Sequence, residues 1–142
     1  MRVMVQVKAS PETEAGVLPT EAEFAEMGAF NAELTKAGVL VEGDGLKPSS
    51  AGARVRFSGA ERTVVHGPFP LEGLVAGYWI WEVASLEEAI TWARRCPNPT
   101  GFTSELEIRP FYTSEDFGEA FTPELQAQED RIRNEVAARL DG

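Results

Sequence analysis

Gly77-Tyr78-Trp79-Ile80-Trp81-Glu82-Val83, followed by Ser85-Leu86-Glu87-Glu88-Ala89-Ile90, joins a strand that is apolar on both faces to an amphipathic helix. Alternation puts Tyr78 and Ile80 on one face and Trp79, Trp81 and Val83 on the other, interrupted only by Glu82. A strand of that kind is covered on both sides. In the helix, Ser85 and Glu88 have the spacing of a capping box, and Leu86, Ala89, Ile90 and Ala93 recur at the helical period before Pro97. One side of the strand thus receives a helix, and the other needs a cover of its own.

Upstream, Val3, Val5 and Val7 alternate with Met4, Gln6 and Lys8, the pattern of a half-buried strand. After a loop carrying Pro11, Gly16 and Pro19, Thr20 and Glu23 form another capping box. Phe24, Met27, Phe30 or Asn31, and Leu34 follow at helical spacing until Gly38. Val39 to Val41 resumes extended structure, and Gly43-Asp44-Gly45 is expected to break it. Ala53 to Phe57 and Arg62 to Val65, joined by Ser58-Gly59, predict a hairpin, and Glu105 to Phe111 a closing strand. The order β-α-β-β-α-β predicts an α+β, ferredoxin-like antiparallel sheet with helices on one face. The economical cover for the open face is the same face of a second copy, so a homodimer is expected.

Residues 1–112 are therefore read as one α+β domain and residues 113–142 as an acidic extension. In the extension, Thr122 is an N-cap, Pro123 the first helical residue, and Leu125, Ile132, Val136 and Leu140 one apolar stripe. This amphipathic helix is expected to dock on a partner or over a pocket mouth. The net charge of the 142 residues is −10, with 10 basic and 15 acidic side chains in residues 1–112 and 3 and 8 in residues 113–142. Such a balance repels phosphate backbones and anionic lipid, so neither nucleic acid nor membrane is an expected partner. No stretch approaches the ~20 apolar residues of a membrane span. Met1-Arg2 leads straight into alternating valines, without a signal-peptide pattern, and the chain has 1 cysteine, which together predict a cytoplasmic protein.

Chemistry is sought first at His66, the single histidine, where Val64-Val65-His66 gives way to Gly67-Pro68-Phe69-Pro70. Proline restrains the turn, and imidazole takes and gives protons near neutral pH, so His66 is a candidate acid or base. The alternative is a strand-end histidine bonded to backbone. Asp44, between two glycines, is either an orienting carboxylate able to approach a ligand or a turn aspartate. Glu82 shares a face with Tyr78 and Ile80 and is either a cleft carboxylate or a strand-end glutamate that pairs with a cation such as Arg109. Tyr78, Trp79 and Trp81, with Phe69, are candidate walls for a small apolar or aromatic ligand, or plain core. Cys96 before Pro97 reads as a buried or helix-end thiol. One histidine and one cysteine do not make a usual zinc site, and Gly43-Asp44-Gly45 lacks the remainder of a dinucleotide fingerprint, so no metal and no cofactor are expected.

Several pieces together resemble the YCII-related family, particularly its branch named for an Asp-Gly-Pro-Phe motif. They are Ala37-Gly38-Val39-Leu40, Gly43-Asp44-Gly45-Leu46, Gly67-Pro68-Phe69, Gly77-Tyr78, Ser85-Leu86-Glu87-Glu88-Ala89 with Trp92-Ala93, and Glu107-Ile108-Arg109-Pro110. His66 stands where that branch has Asp, Pro70-Leu71-Glu72-Gly73 replaces its usual Glu-Thr-Lys-Glu, and Asp44 falls where it often has Glu. The resemblance implies a ferredoxin-like dimeric α/β barrel over most of residues 1–112 and a small-molecule enzyme with His and Asp in its cleft. The expected function is cofactor-free acid/base chemistry of cyclase, dehydratase, isomerase or lyase type on an apolar or aromatic substrate. The alternative is a non-catalytic ligand-binding or interaction module.

Overall fold

The alternating valines at the start of the chain form β1 (Arg2–Lys8), with Val3 and Val5 fully buried. In the computed structural model, which describes residues 1–98 and 103–141, β1 lies between two antiparallel neighbours. These are β5 (Val75–Glu82) and β6 (Leu106–Pro110), and β2 (Leu40–Gly45) extends the sheet beyond β5, also antiparallel. The order β2-β5-β1-β6 is that of the ferredoxin-like split βαβ arrangement. Helix α2 (Glu21–Lys36) connects β1 to β2, and α3 (Leu86–Arg94) connects β5 to β6.

Both helices lie on one face, as expected, but Phe24 of the α2 stripe and Leu86 and Ile90 of the α3 stripe are exposed rather than buried against the sheet. Phe30 and Leu34 of α2 and Ala89 of α3 are buried with Val3, Val5, Trp79, Trp81 and Val83 of the sheet. Phe30 is the hub: its ring meets those of Trp79, Trp81 and Trp92 edge-on at 6.2, 6.4 and 6.5 Å, the geometry that aromatic quadrupoles favour. The Thr20 hydroxyl accepts from the Glu23 N–H at 3.2 Å and the Glu23 carboxylate from the Thr20 N–H at 3.3 Å, a cap of about 1 kcal/mol. At α3 the Ser85 hydroxyl accepts from the Glu88 N–H as expected. The Glu88 carboxylate instead accepts from Ala84, one residue earlier than a capping box requires.

Three features differ from the reading of the sequence. Ser10 caps an additional short helix, α1 (Pro11–Glu14), in the segment expected to be loop. The expected hairpin, β3 (Ala53–Ser58) with β4 (Glu61–His66), forms a two-stranded sheet of its own between β2 and β5 in sequence. Gly43-Asp44-Gly45 does not break β2 but completes it, because Gly43 permits a close approach to β5 that a side chain would block. A Cβ on Gly43 would stand 2.7 Å from Cδ1 of Trp79, and one on Gly77, paired with Gly45, 3.2 Å from the Asp44 carbonyl. Asp44 is consequently a strand residue opposite Tyr78 rather than a turn aspartate.

Residues Met1–Pro110 and Phe111–Gly142 form separate compact units. In the second, the rings of Tyr112, Phe117 and Phe121 pack at 5.1 and 5.3 Å, ahead of α4 (Pro123–Asp141). Thr122 caps α4 by accepting from the Leu125 N–H, and Leu125, Ile132, Val136 and Leu140 are exposed. Among the described residues no helix is long and apolar enough to cross a membrane.

Candidate functional site

A cleft of about 650 Å³ opens where the loop after α1 and the first turns of α2 overhang the Gly45 end of β2 and the start of β5. Its walls include Val17, Leu18, Phe24, Met27, Leu46 and Trp79, and the polar residues along it include Thr13, Asn31, Asp44, Lys47 and Tyr78. A volume of that size suits one small molecule, and an apolar lining with few polar groups is the usual composition of a ligand site. Leu18 and Phe24 are 79% and 60% exposed at its rim, apolar surface that an apolar ligand would cover.

The back wall is rigid. Trp79 is buried, tilted against Trp81 at 5.7 Å and seated over Gly43. Its indole N–H donates to Oδ1 of Asn31 at 2.9 Å. An indole nitrogen only donates, so the amide oxygen of Asn31 must face it, and the amide has its NH₂ group left to offer.

Of the residues singled out from the sequence, Asp44, Tyr78 and Trp79 line this cleft, whereas His66, Glu82, Trp81 and Phe69 are not in its lining. The strand register assigns Asp44 and Tyr78 to the face away from α2, so the cleft meets them at the strand ends. Trp81 is fully buried in the core. Glu82 is half-exposed at the other end of β5 and pairs with the N-terminal ammonium at 3.1 Å rather than with Arg109. His66 ends the hairpin opposite Ala53, exposed, on the same face as Val55, Phe57 and Val64.

The Gly67-Pro68-Phe69 stretch after His66 is a joint. Its Gly67-Pro68 peptide is cis, and the Phe69 N–H donates to the Ser49 hydroxyl at 2.9 Å. The Ser49 hydroxyl donates in turn to Glu14, whose carboxylate also accepts the Ser49 N–H at 2.8 Å. The guanidinium of Arg54 stacks over the Phe69 ring at 4.0 Å. This joint ties α1 and the chain leaving β2 to the hairpin, and Pro48 beside Ser49 belongs to the cleft wall. The sequence reading did not find Glu14, Ser49 or Asn31 as a polar group. The available signal for Asn31 was its place on the apolar stripe of α2, where an amide needs a partner.

Burial pushes the Cys96 thiol from an ordinary 9.0 up to about 11, and its Sγ–H donates to the Pro97 carbonyl at 3.1 Å. With its pKa raised by folding, this thiol contributes stability that is complete below pH 9 and lost as the pH rises through 11. At pH 8 its reaction with a disulfide reagent is expected to be about 100-fold slower in the native protein than in urea, since the thiolate is the nucleophile. Equal rates would show that the thiol is not held protonated by the fold.

An uncharacterised protein of Rhizobium meliloti (strain 1021) is 33% identical to this chain over 86 residues, covering 60% of the chain and 69% of the relative. The model of the YCII-related domain matches residues 1–112, which take in the whole β1-to-β6 unit with its cleft. The chain therefore belongs to the YCII-related domain family.

Proposed function

We propose that this chain is an enzyme that binds a small apolar or aromatic molecule in the cleft beside Trp79 and acts on it by cofactor-free proton transfer. The observation that carries this reading is a ligand-sized cleft with a rigid aromatic wall and an amide donor, with Asp44 at its strand-end edge. Asp44 is the proposed proton acceptor, an exposed carboxylate at the edge of the cleft. The proposed assembly is a homodimer joined through the sheet faces opposite the helices. In support, the register puts Met4, Tyr78 and Ile80 on that face with Gln6, Lys8, Glu107 and Arg109 around them, Ile80 being already buried within the single chain. His66, outside the cleft lining, is assigned no part in the proton transfer.

The second reading, a non-catalytic binding module of the same fold, draws support from His66 and Glu82 lying outside the cleft lining. Native mass spectrometry of the freshly purified protein tests both the dimer and a retained ligand. Turnover of the ligand so identified is expected to fall at least ~100-fold in Asp44→Asn, with affinity within about tenfold, as befits loss of a proton-transfer group. His66→Ala is expected to change turnover by less than about threefold. A ligand bound but left unaltered by the wild type would establish the non-catalytic module instead.

A further inference from the structure

We propose that Asn31 makes the cleft selective for ligands that carry a carbonyl-type oxygen on an apolar or aromatic body. The proposal deepens, and rests on, the reading of the cleft as a small-molecule site. Asn31 lies in the middle of α2, on the stripe that otherwise carries Phe24, Met27, Phe30 and Leu34, and it lines the cleft beside Met27 and Trp79. The Trp79 indole N–H occupies its Oδ1 at 2.9 Å. Trp79 is itself held between Phe30, Trp81 and Gly43, so the indole cannot turn away to release the amide. The orientation of Asn31 is thereby set by the core, and its remaining polar function is a pair of N–H donors. Among the described residues nothing accepts from them.

A donor fixed in this way beside an apolar wall discriminates between ligands of the same shape. A ketone, ester, carboxylic acid or quinone oxygen placed against Nδ2 gains a hydrogen bond. A hydrocarbon of equal size leaves the amide desolvated and unpaired. Lys47, also in the lining, is a cation and adds no acceptor, so the neutral and charged polar side chains contributed by α2 and the chain after β2 favour ligand oxygen.

Two probes of matched shape test this: 2-acetylnaphthalene and 2-isopropenylnaphthalene, in which a CH₂ group replaces the carbonyl oxygen. Each is titrated into the full chain and followed by the indole N–H signals of its 3 tryptophans. The ketone is expected to bind about fivefold more tightly than the hydrocarbon, the range of one net hydrogen bond. Asn31→Asp keeps an acceptor for Trp79 and nearly the same shape but replaces the donor by an oxygen, so the preference should vanish or invert. Asn31→Leu, which removes all polar atoms, should bind the hydrocarbon at least as well as the ketone. Equal binding of both probes to the wild type would overturn the role of Asn31 while leaving the cleft as a binding site. A fivefold preference that survives in either variant would overturn it too. Failure of both probes to move the Trp79 signal would overturn the reading of the cleft and this proposal together.

Discussion

Gly67→Ala is expected to cost about 3 kcal/mol of folding stability, the upper part of the range for overpacked sites. A Cβ at Gly67 would stand 1.8 Å from the carbonyl oxygen of Ser49 and 2.6 Å from its carbonyl carbon, and both obstacles are backbone. Neither side can yield cheaply. The Ser49 backbone is held by its N–H on Glu14, and the Gly67 strand end by its own N–H on the Gly52 carbonyl at 3.0 Å. Lifting the turn would also break the Phe69 N–H to Ser49 hydroxyl bond and leave a partly buried donor unmet. Urea unfolding should show a lower midpoint at unchanged slope. A loss below about 1 kcal/mol would show that the joint relaxes as a unit, and the glycine of the Gly-Pro-Phe stretch would then not be a packing requirement.

Trp81→Ala is expected to cost about 4 kcal/mol, much of the 5–15 kcal/mol that separates folded from unfolded states in domains of this kind. The side chain is fully buried, edge-on to Phe30 at 6.4 Å and tilted against Trp79 at 5.7 Å. Its removal therefore opens a cavity in the centre of the core and loosens the wall of the cleft. Trp81→Phe is the informative partner. The Trp81 indole N–H is buried with no hydrogen-bond acceptor among the described residues. Exchanging it for Phe relieves that desolvated donor, worth about 1–3 kcal/mol, while losing part of the ring volume. The net cost should stay below about 1.5 kcal/mol by chemical denaturation. A Trp81→Phe loss as large as that of Trp81→Ala would mean that ring volume alone governs the site.

How far the fold is legible depends on how local its causes are. The valine alternation of β1, the caps at Thr20 and Ser85 and the stripes of α2 and α3 rest on residues within a few positions of one another. The elements they specify are present, and with them the ferredoxin-like order. The glycines of β2 misled for a definable reason. Glycine punctuates strands in general, but here the missing Cβ of Gly43 makes room for the Trp79 ring on the neighbouring strand, more than 30 residues away in the chain. Ser10 with Pro11 was legible as a helix start and was passed over, because a four-residue helix has no apolar period to support it.

The sequence by itself determined β1, α2, β5, α3 and β6, the face of the sheet that the helices cover, the hairpin and the family. All of these follow from short-range periodicity and from motifs in order. Only the tertiary structure decided which polar groups meet. The Trp79 indole reaches Asn31 across 48 residues, the Ser49 N–H reaches Glu14 across 35, and the Phe69 N–H reaches Ser49 across 20. The hairpin carries His66 out of the cleft lining, and the register of β2 against β5 brings Asp44 to its edge. Hydrogen bonds of this kind act over about 3 Å and depend on where chain segments stop after packing, which no local pattern encodes.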